Sequence, residues 1–403
     1  MALMPIAEAL ARVLADAAPL ATESAPLAEA LGRVLTADVA AKRTQPPAAV
    51  SAMDGYAVRA ADVANVPARL KLVGEVAAGH PFDGRVGAGE AARIFTGGVL
   101  PPGTDTVVIQ ENTNADGGTI TVTAAAAKGK NVRAAGLDFS RGDVLLGKGR
   151  RLSGRDLALA AAMNHPTLPV HRRPKVALLA TGDELVLPGA EPGPGEIVYS
   201  NGFAILALAR AEGAETIDLG IVPDRVAETA AAVRRARELG ADILVTSGGA
   251  SVGEYDIVQQ ALAGEGLALS FWKVALRPGK PMMHGRLGPM QVLGLPGNPV
   301  SAFVCAVLFL VPLIRRMAGR SDVEPQIESA VLGQELSAND ERADYLRATL
   351  AARADGVLVA TPFPVQDSSM LAPLARADCL VIREPYAPPA AAGSACSIIK
   401  LAL

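Results

Sequence analysis

ILVTSGGASVGEYD at 243–256, with RPGKP at 277–281 and LPGNPVS at 295–301, sets three small-residue turns at the ends of apolar strands. The run of β-branched residues stops at Gly248 and Gly249. Without a Cβ the backbone there can turn sharply and offer bare amides to phosphate oxygens at a strand's carboxyl end. Glu254 and Asp256 follow. Carboxylates beside a phosphate-sized nest repel its ligand unless a divalent cation bridges the two. Arg277 and Lys280 add positive charge from the second turn. Asn298 is expected to cap a helix opened by Pro299, leaving orphan N–H groups free. Together the three turns describe an anion site.

Outward from this stretch, the chain alternates between strand and helix patterns from Lys175 onward: KVALLATGDEL, AILALARAEGA, TIDLGIV, VAETAAAVRRAREL, ADILVTSGG, VQQALAGEG, MQVLGLPGN and SAFVCAVLFL. That alternation predicts a doubly wound, largely parallel α/β sheet with its crevice beyond the carboxyl ends of the strands. TGDEL at 181–185 puts Asp183 and Glu184 over that edge, and Asp224 in GIVPDR ends another strand. Any one of these acids reads equally as a solvated loop or a helix cap. Acids at three strand ends, Asp256 included, point jointly to a metal or phosphate-transfer site.

The flanking regions read differently. Helical periodicity is expected over 1–20, 27–39 and 152–164, the last packing beside the first. Between them LKLVGEV, ARIFTGG, TVVIQEN, TITVTA and DVLL are short strands separated by turns. After about residue 322 the chain returns to short strands, which suggests a small β-barrel or sandwich. The expected domains are a discontinuous linker domain of 1–25 plus 147–172, a β-rich domain of 26–146, an α/β domain of 173–322 and a C-terminal β-barrel domain of 323–403. Taken alone, Asp54 sits in an Asp-Gly hairpin turn, Thr96 precedes a Gly-Gly bend, and Asp138 lies in a turn between strands. Arg342 and Arg347 read as solvated charges on an edge strand, and QDSSML at 366–371 as an ordinary polar loop.

Composition narrows the class. At 403 residues the chain implies about two to four domains. Only 3% of residues are aromatic against 50% hydrophobic, so the core must be built from Ala, Val and Leu. A net charge of −3 and a pI near 5.9 give no global pull toward nucleic acid or an anionic membrane. Cys305, Cys379 and Cys396 lack metal-like spacing and are read as free core thiols of a reducing compartment. The amphipathic N-terminus lacks a signal peptide's apolar centre, and the apolar run 300–314, broken by Pro312, reads as a buried helix too short to span a bilayer. A cytoplasmic protein is expected. His80, His165, His171 and His284 have no ligand spacing, and no nucleophile elbow, P-loop or dinucleotide fingerprint is present.

Seven motifs in order, MDGYA, TGGVLPPGTDTVV, NVRAAGLD, ATGDEL, SGGASVGEYD, RPGKP and LPGNPVSA, resemble the molybdopterin molybdenumtransferases of the MoeA type, related to the gephyrin E domain. The likeness covers nearly the whole chain. It implies an elongated homodimer of four-domain subunits that inserts molybdate into adenylylated molybdopterin with Mg2+ and releases AMP. By the same resemblance, Asp54, Thr96 and Asp138 become functional residues facing the partner subunit's α/β domain, which reverses their plain readings. Glu184, Asp224, Asp256, Lys273 and Lys280 match catalytic positions, with Mg2+ on Asp256, Glu184 and Asp224. Gly248, Gly249, Ser251, Pro296, Asn298, Pro299 and Ser301 shape the pterin nucleotide pocket, and Arg277, Arg342 and Ser368 meet the oxyanion. Arg277 stands where some members have lysine. A molybdopterin adenylyltransferase and recipient molybdoenzymes are the expected partners. The alternatives are such an adenylyltransferase, disfavoured by the additional domains and by the glycine loop, and a scaffold of gephyrin type, disfavoured by the retained acids and lysines.

Overall fold

The structure is a computed structural model that describes residues 3–77, 79–248 and 257–401. Its described residues form two compact units, one within Met1–Glu23, Gly32–Thr36 and Val170–Leu403, the other within Ser24–Leu31 and Ala37–Pro169.

In the first unit a six-stranded sheet runs in the order Glu215–Val222, Lys175–Thr181, Ile243–Ser247, Met290–Leu295, Met283–Leu287, Ala268–Trp272. The first four strands are parallel. Met283–Leu287 runs against them, antiparallel to both Met290–Leu295 and Ala268–Trp272, an addition that the alternating pattern does not reveal. Lys175–Thr181 is a near-continuous apolar run, and because successive side chains point to opposite faces, both faces of the strand need cover. Val176, Leu178 and Ala180 join a core built with the helices Asn201–Ala211 and Pro299–Met317. Ala177 and Leu179 join one built with Val226–Glu238 and Ile257–Gly264. The chain passes from the central strand to one neighbour and then to the other, which places a topological switch point between Thr181 and Ser247.

The helix Pro299–Met317 is 19 residues long and apolar enough to cross a membrane. Burial in the core accounts for its composition, rather than the shortness expected from Pro312. Pro312 is accommodated by a π-helical segment, Ala306–Leu310, where Val311 N–H reaches Ala306 O. The wider turn relieves the clash and the missing donor that proline brings to a regular helix.

The strands Ile327–Leu332, Ala343–Ala352, Leu358–Pro362, Cys379–Arg383 and Ala395–Lys400 close into a five-stranded barrel, because Ala343–Ala352 pairs with both Leu358–Pro362 and Cys379–Arg383. The short strand Leu276–Arg277 adds to it in parallel. Cys305 and Cys379 are buried, whereas Cys396 is only half-buried.

Two helical expectations are corrected. The first helix covers Ile6–Ala15, not 1–20. It buries Ala9 and Val13 in the same core as Pro299–Met317. Over 27–39 only a single turn forms at Leu27–Glu29, and Val39–Ala40 is a short strand. Gly32 takes φ +74°, a left-handed conformation that ends helical winding.

The second unit carries its own six-stranded sheet, ordered Thr106–Ile109, Gly55–Val58, Glu90–Ile94, Ala68–Val76, Thr119–Val122, Thr113–Asp116. Its helix Gly154–Ala162 starts at a capping box, in which Ser153 and Asp156 satisfy each other's backbone N–H.

Candidate functional site

At the switch point, Gly248 adopts φ +95°, and a Cβ there would meet the carbonyl oxygen of Thr181 at 2.7 Å. Only glycine lets the two strand ends close on each other. A Cβ on Gly297 would lie 3.8 Å from Gly248 Cα, so the turn after Met290–Leu295 backs directly onto the first turn. Pro296 leads into that turn, and Pro299 opens the core helix with Asn298 at its N-cap position. Asn298 does not cap with its side chain. Its Nδ2 donates instead to Ser368 Oγ at 2.8 Å, and Val300 N–H donates to Ser368 O at 3.0 Å. Ser301 is buried one turn into the helix. A loop of the barrel is thereby fastened to the start of a helix in the α/β region.

Asn201, which the sequence reading passed over, joins the same turns. Its Nδ2 donates to Ser247 Oγ at 3.0 Å and to Gly297 O at 2.7 Å. YSNG just before an apolar helical run was the available signal, a cluster of capping residue types.

The acids at two of the three strand ends come together. Asp183 N–H reaches Asp224 Oδ2 at 3.4 Å, and Asp224 N–H reaches Asp183 Oδ1 at 3.2 Å. Burial raises the Asp224 carboxyl above the usual aspartate range, and the charges of Asp183 and Glu184 push the same way, against the Asp183 N–H. Glu184 folds back over Gly182. Among the described residues no three His, Cys, Asp or Glu side chains group as a metal site. Gly249, Ser251, Glu254 and Asp256 lie outside the described residues.

The basic side chains divide into engaged and available ones. Arg277 donates from Nε to Asp344 at 2.6 Å, from Nη2 to the other oxygen of Asp344, from Nη1 to Asp340 at 2.8 Å and from Nη2 to Asn339 at 2.8 Å. Four of the five donors of its fork are spent within the barrel. Arg342 pairs with Asp340 at 3.1 Å. Lys273 takes φ 75° and lays its Nζ 4.5 Å from the centre of the Trp272 ring. Lys280 is exposed one turn away, joined to it by the Val274 N–H to Lys280 O bond of 3.0 Å.

Arg347 departs most from the solvated edge charge expected of it. It is 1% exposed, and its guanidinium donates to Gln366 Oε1 at 3.2 Å, Met370 O at 2.9 Å and Val365 O at 3.5 Å. These partners span the loop that carries Ser368. Burial lowers its pKa, with only Asp367 opposing. The buried charge is therefore met by dipoles rather than by a bonded carboxylate.

In the second unit Asp54 accepts two hydrogen bonds of 2.7 Å from Thr96, one from its N–H and one from its hydroxyl. The backbone bond, then the hydroxyl, hold the Asp54 carboxyl below the usual range, with a smaller push from Arg93. Arg93 lies between the rings of Tyr56 and Phe95, 5.0 and 4.9 Å from their centres. Gly97, next to Thr96, lines one cavity with Asp138, Arg43 and Arg133. Asp54 and Thr96 are thus bonded to each other, and Asp138 lines a cavity that reaches the neighbouring Gly97.

Residues 4–164 match the family described as MoeA N-terminal region (domain I and II), 177–316 a probable molybdopterin binding domain, and 329–401 the MoeA C-terminal region (domain IV). The chain is 36% identical over 368 residues to a molybdopterin molybdenumtransferase of Haemophilus influenzae, covering 91% of this chain and 90% of that one. It is 38% identical over 337 residues to one from Nostoc, covering 82% and 77%. The crystal structure of a molybdopterin biosynthesis MoeA protein from Pyrococcus horikoshii matches with a TM-score of 0.85 at 30% identity, over all of both chains.

Proposed function

The chain belongs to the MoeA family of molybdopterin molybdenumtransferases, and from that premise we propose that it inserts molybdate into adenylylated molybdopterin and releases AMP. The observation that carries this reading is the switch point, where two glycine turns back onto each other and a barrel loop is fastened to the adjoining helix start. The Gly248 amide and its neighbours hold the pyrophosphate of the adenylylated pterin. Ser368 Oγ accepts from Asn298, so its own O–H stays free to donate to a molybdate oxygen. Lys280 and Lys273 supply cations at the same edge. Arg347 adds a positive potential that no bonded carboxylate cancels, whereas Arg342 and Arg277 are tied to acids of the barrel. The protein's contribution is to position the two substrates and to neutralise their charge.

Glu184 and Asp224 fit a divalent cation, because their neighbouring charges make the ionised pair costly without one. With Asp256 they would hold Mg2+, which when bound neutralises phosphate oxygens. We further propose a homodimer in which Asp54, Thr96 and Asp138 of one copy serve the α/β site of the other.

A turnover assay with purified protein, adenylylated molybdopterin, Mg2+ and low molybdate tests the reading. Molybdate-dependent AMP release coupled to molybdenum incorporation is expected. Tight nucleotide binding with neither would indicate a scaffold or an inactive relative. Omitting Mg2+ is expected to slow turnover, and full activity in the presence of a chelator would remove the cation from the scheme.

A further inference from the structure

We propose that Asn201 is a positioning residue that sets the affinity for the pterin nucleotide by locking the two glycine turns in register, a role that rests on the reading above. Three elements that are far apart in sequence meet at this one amide. Asn201 is the first residue of the helix Asn201–Ala211, whose N-cap residue Ser200 makes no side-chain capping bond. One N–H of Nδ2 goes sideways to Ser247 Oγ, at the end of the strand that leads into Gly248. The other goes to the carbonyl of Gly297, in the turn that backs onto Gly248. Both donors of the amide are spent, so the group is rotationally fixed and its carbonyl oxygen is left as the acceptor.

The lock matters because of what surrounds it. Gly248 and Gly297 have no side chains with which to hold their own loops, and glycine turns lose more backbone freedom on ordering than any others. Amides aimed at a phosphate help binding only if their orientation is set before the ligand arrives. Within the described residues the direct side-chain link between the Ser247–Gly248 turn and the Gly297 turn runs through Asn201. Ser368 holds the other side of the second turn through Asn298. The nucleotide side and the oxyanion side of the turn thus have separate fasteners, and loosening one should leave the other in place.

The test is a comparison of kinetic constants for Asn201→Ala, Ser247→Ala and the double variant in the full-length protein, with AMP binding followed by calorimetry. Losing both hydrogen bonds is expected to raise the KM for adenylylated molybdopterin and the Kd for AMP about tenfold or more. Losing the Ser247 hydroxyl alone should cost about threefold, since the bond to Gly297 remains. The double variant should be no worse than Asn201→Ala, and the KM for molybdate should stay put. A fall in kcat with both KM values unchanged, or an equal rise in both, marks a general structural role and overturns the proposal. Ser247→Ala removes only one oxygen and keeps the test decisive if Asn201→Ala folds poorly. If the wild type shows no molybdate-dependent AMP release at all, it is the transferase reading that fails. If the wild type turns over and both variants match it, only the role of Asn201 fails.

Discussion

Arg277 carries five donors in a rigid fork, and the fold uses that fork on Asp344, Asp340 and Asn339. A lysine there keeps the charge but cannot span the three partners. Arg277→Lys is therefore expected to lower stability by about 1 kcal/mol, a modest figure because the side chain is two-fifths exposed. Chemical denaturation would read that loss, while the KM for molybdate should barely move. A large rise in that KM would return Arg277 to the oxyanion site. The contrast between Arg277 and Gly248 shows what a sequence makes legible at this scale. Gly248 could be read directly, because the demand for a positive φ is local to one residue. The partners of Arg277 are 62 to 67 residues away, and those of Asn201 lie 46 and 96 residues away, so no local pattern encodes them. Arg347 was hidden differently: a charged residue on an edge strand is ordinarily solvated, and the loop at 365–370, 18 to 23 residues away, folds onto it and is not announced by any local pattern.

Between elements, Glu212 at the end of the helix Asn201–Ala211 grips Arg315 at 2.6 and 2.8 Å and Arg320 at 2.6 Å, beyond the far end of the core helix. Burial pushes its carboxyl upward, but the two guanidiniums outweigh that and leave it below the ordinary glutamate range. A depressed carboxyl contributes stability above its unfolded value and loses it as the pH falls through the lowered folded value. Glu212→Gln should thus cost about 3 kcal/mol near neutrality, since it takes the carboxylate from Arg315 and leaves Arg320 with Asp322 alone, and the gap to the wild type should shrink below about pH 4. Urea titrations at a series of pH values would show it; a gap constant down to low pH would mean that packing, not charge, is lost. The elements themselves were largely legible where period-two and helical patterns alternate, from Lys175 to Leu295. The expected helix over 27–39 failed because its apolar spacing is helical while Gly32 is wound the other way. The strands Ala268–Trp272 and Met283–Leu287 were missed because antiparallel addition needs no helix between them to announce it.

For the molecule as a whole, the proposed homodimer with a site shared between copies predicts complementation. Asp54→Ala and Asp224→Ala variants, each inactive alone, should recover about a quarter of wild-type activity when co-expressed, because half the dimers are mixed and each then holds one intact site. No recovery would confine the site to one copy. The resemblance of ordered motifs made the family legible, while the two compact units came from the folded chain alone. One element also bears on how the chain is made. As it leaves the ribosome, Pro299–Met317, 19 residues with a mean hydropathy of 1.9, is the kind of segment that membrane-insertion machinery selects. Order of synthesis works against that fate. The four parallel strands and the helix Asn201–Ala211, most of what will bury this segment, precede Pro299 in the chain and are exposed to folding first. The apolar segment therefore emerges beside a surface already waiting for it, and the barrel, made last, has only to close over its remaining flank.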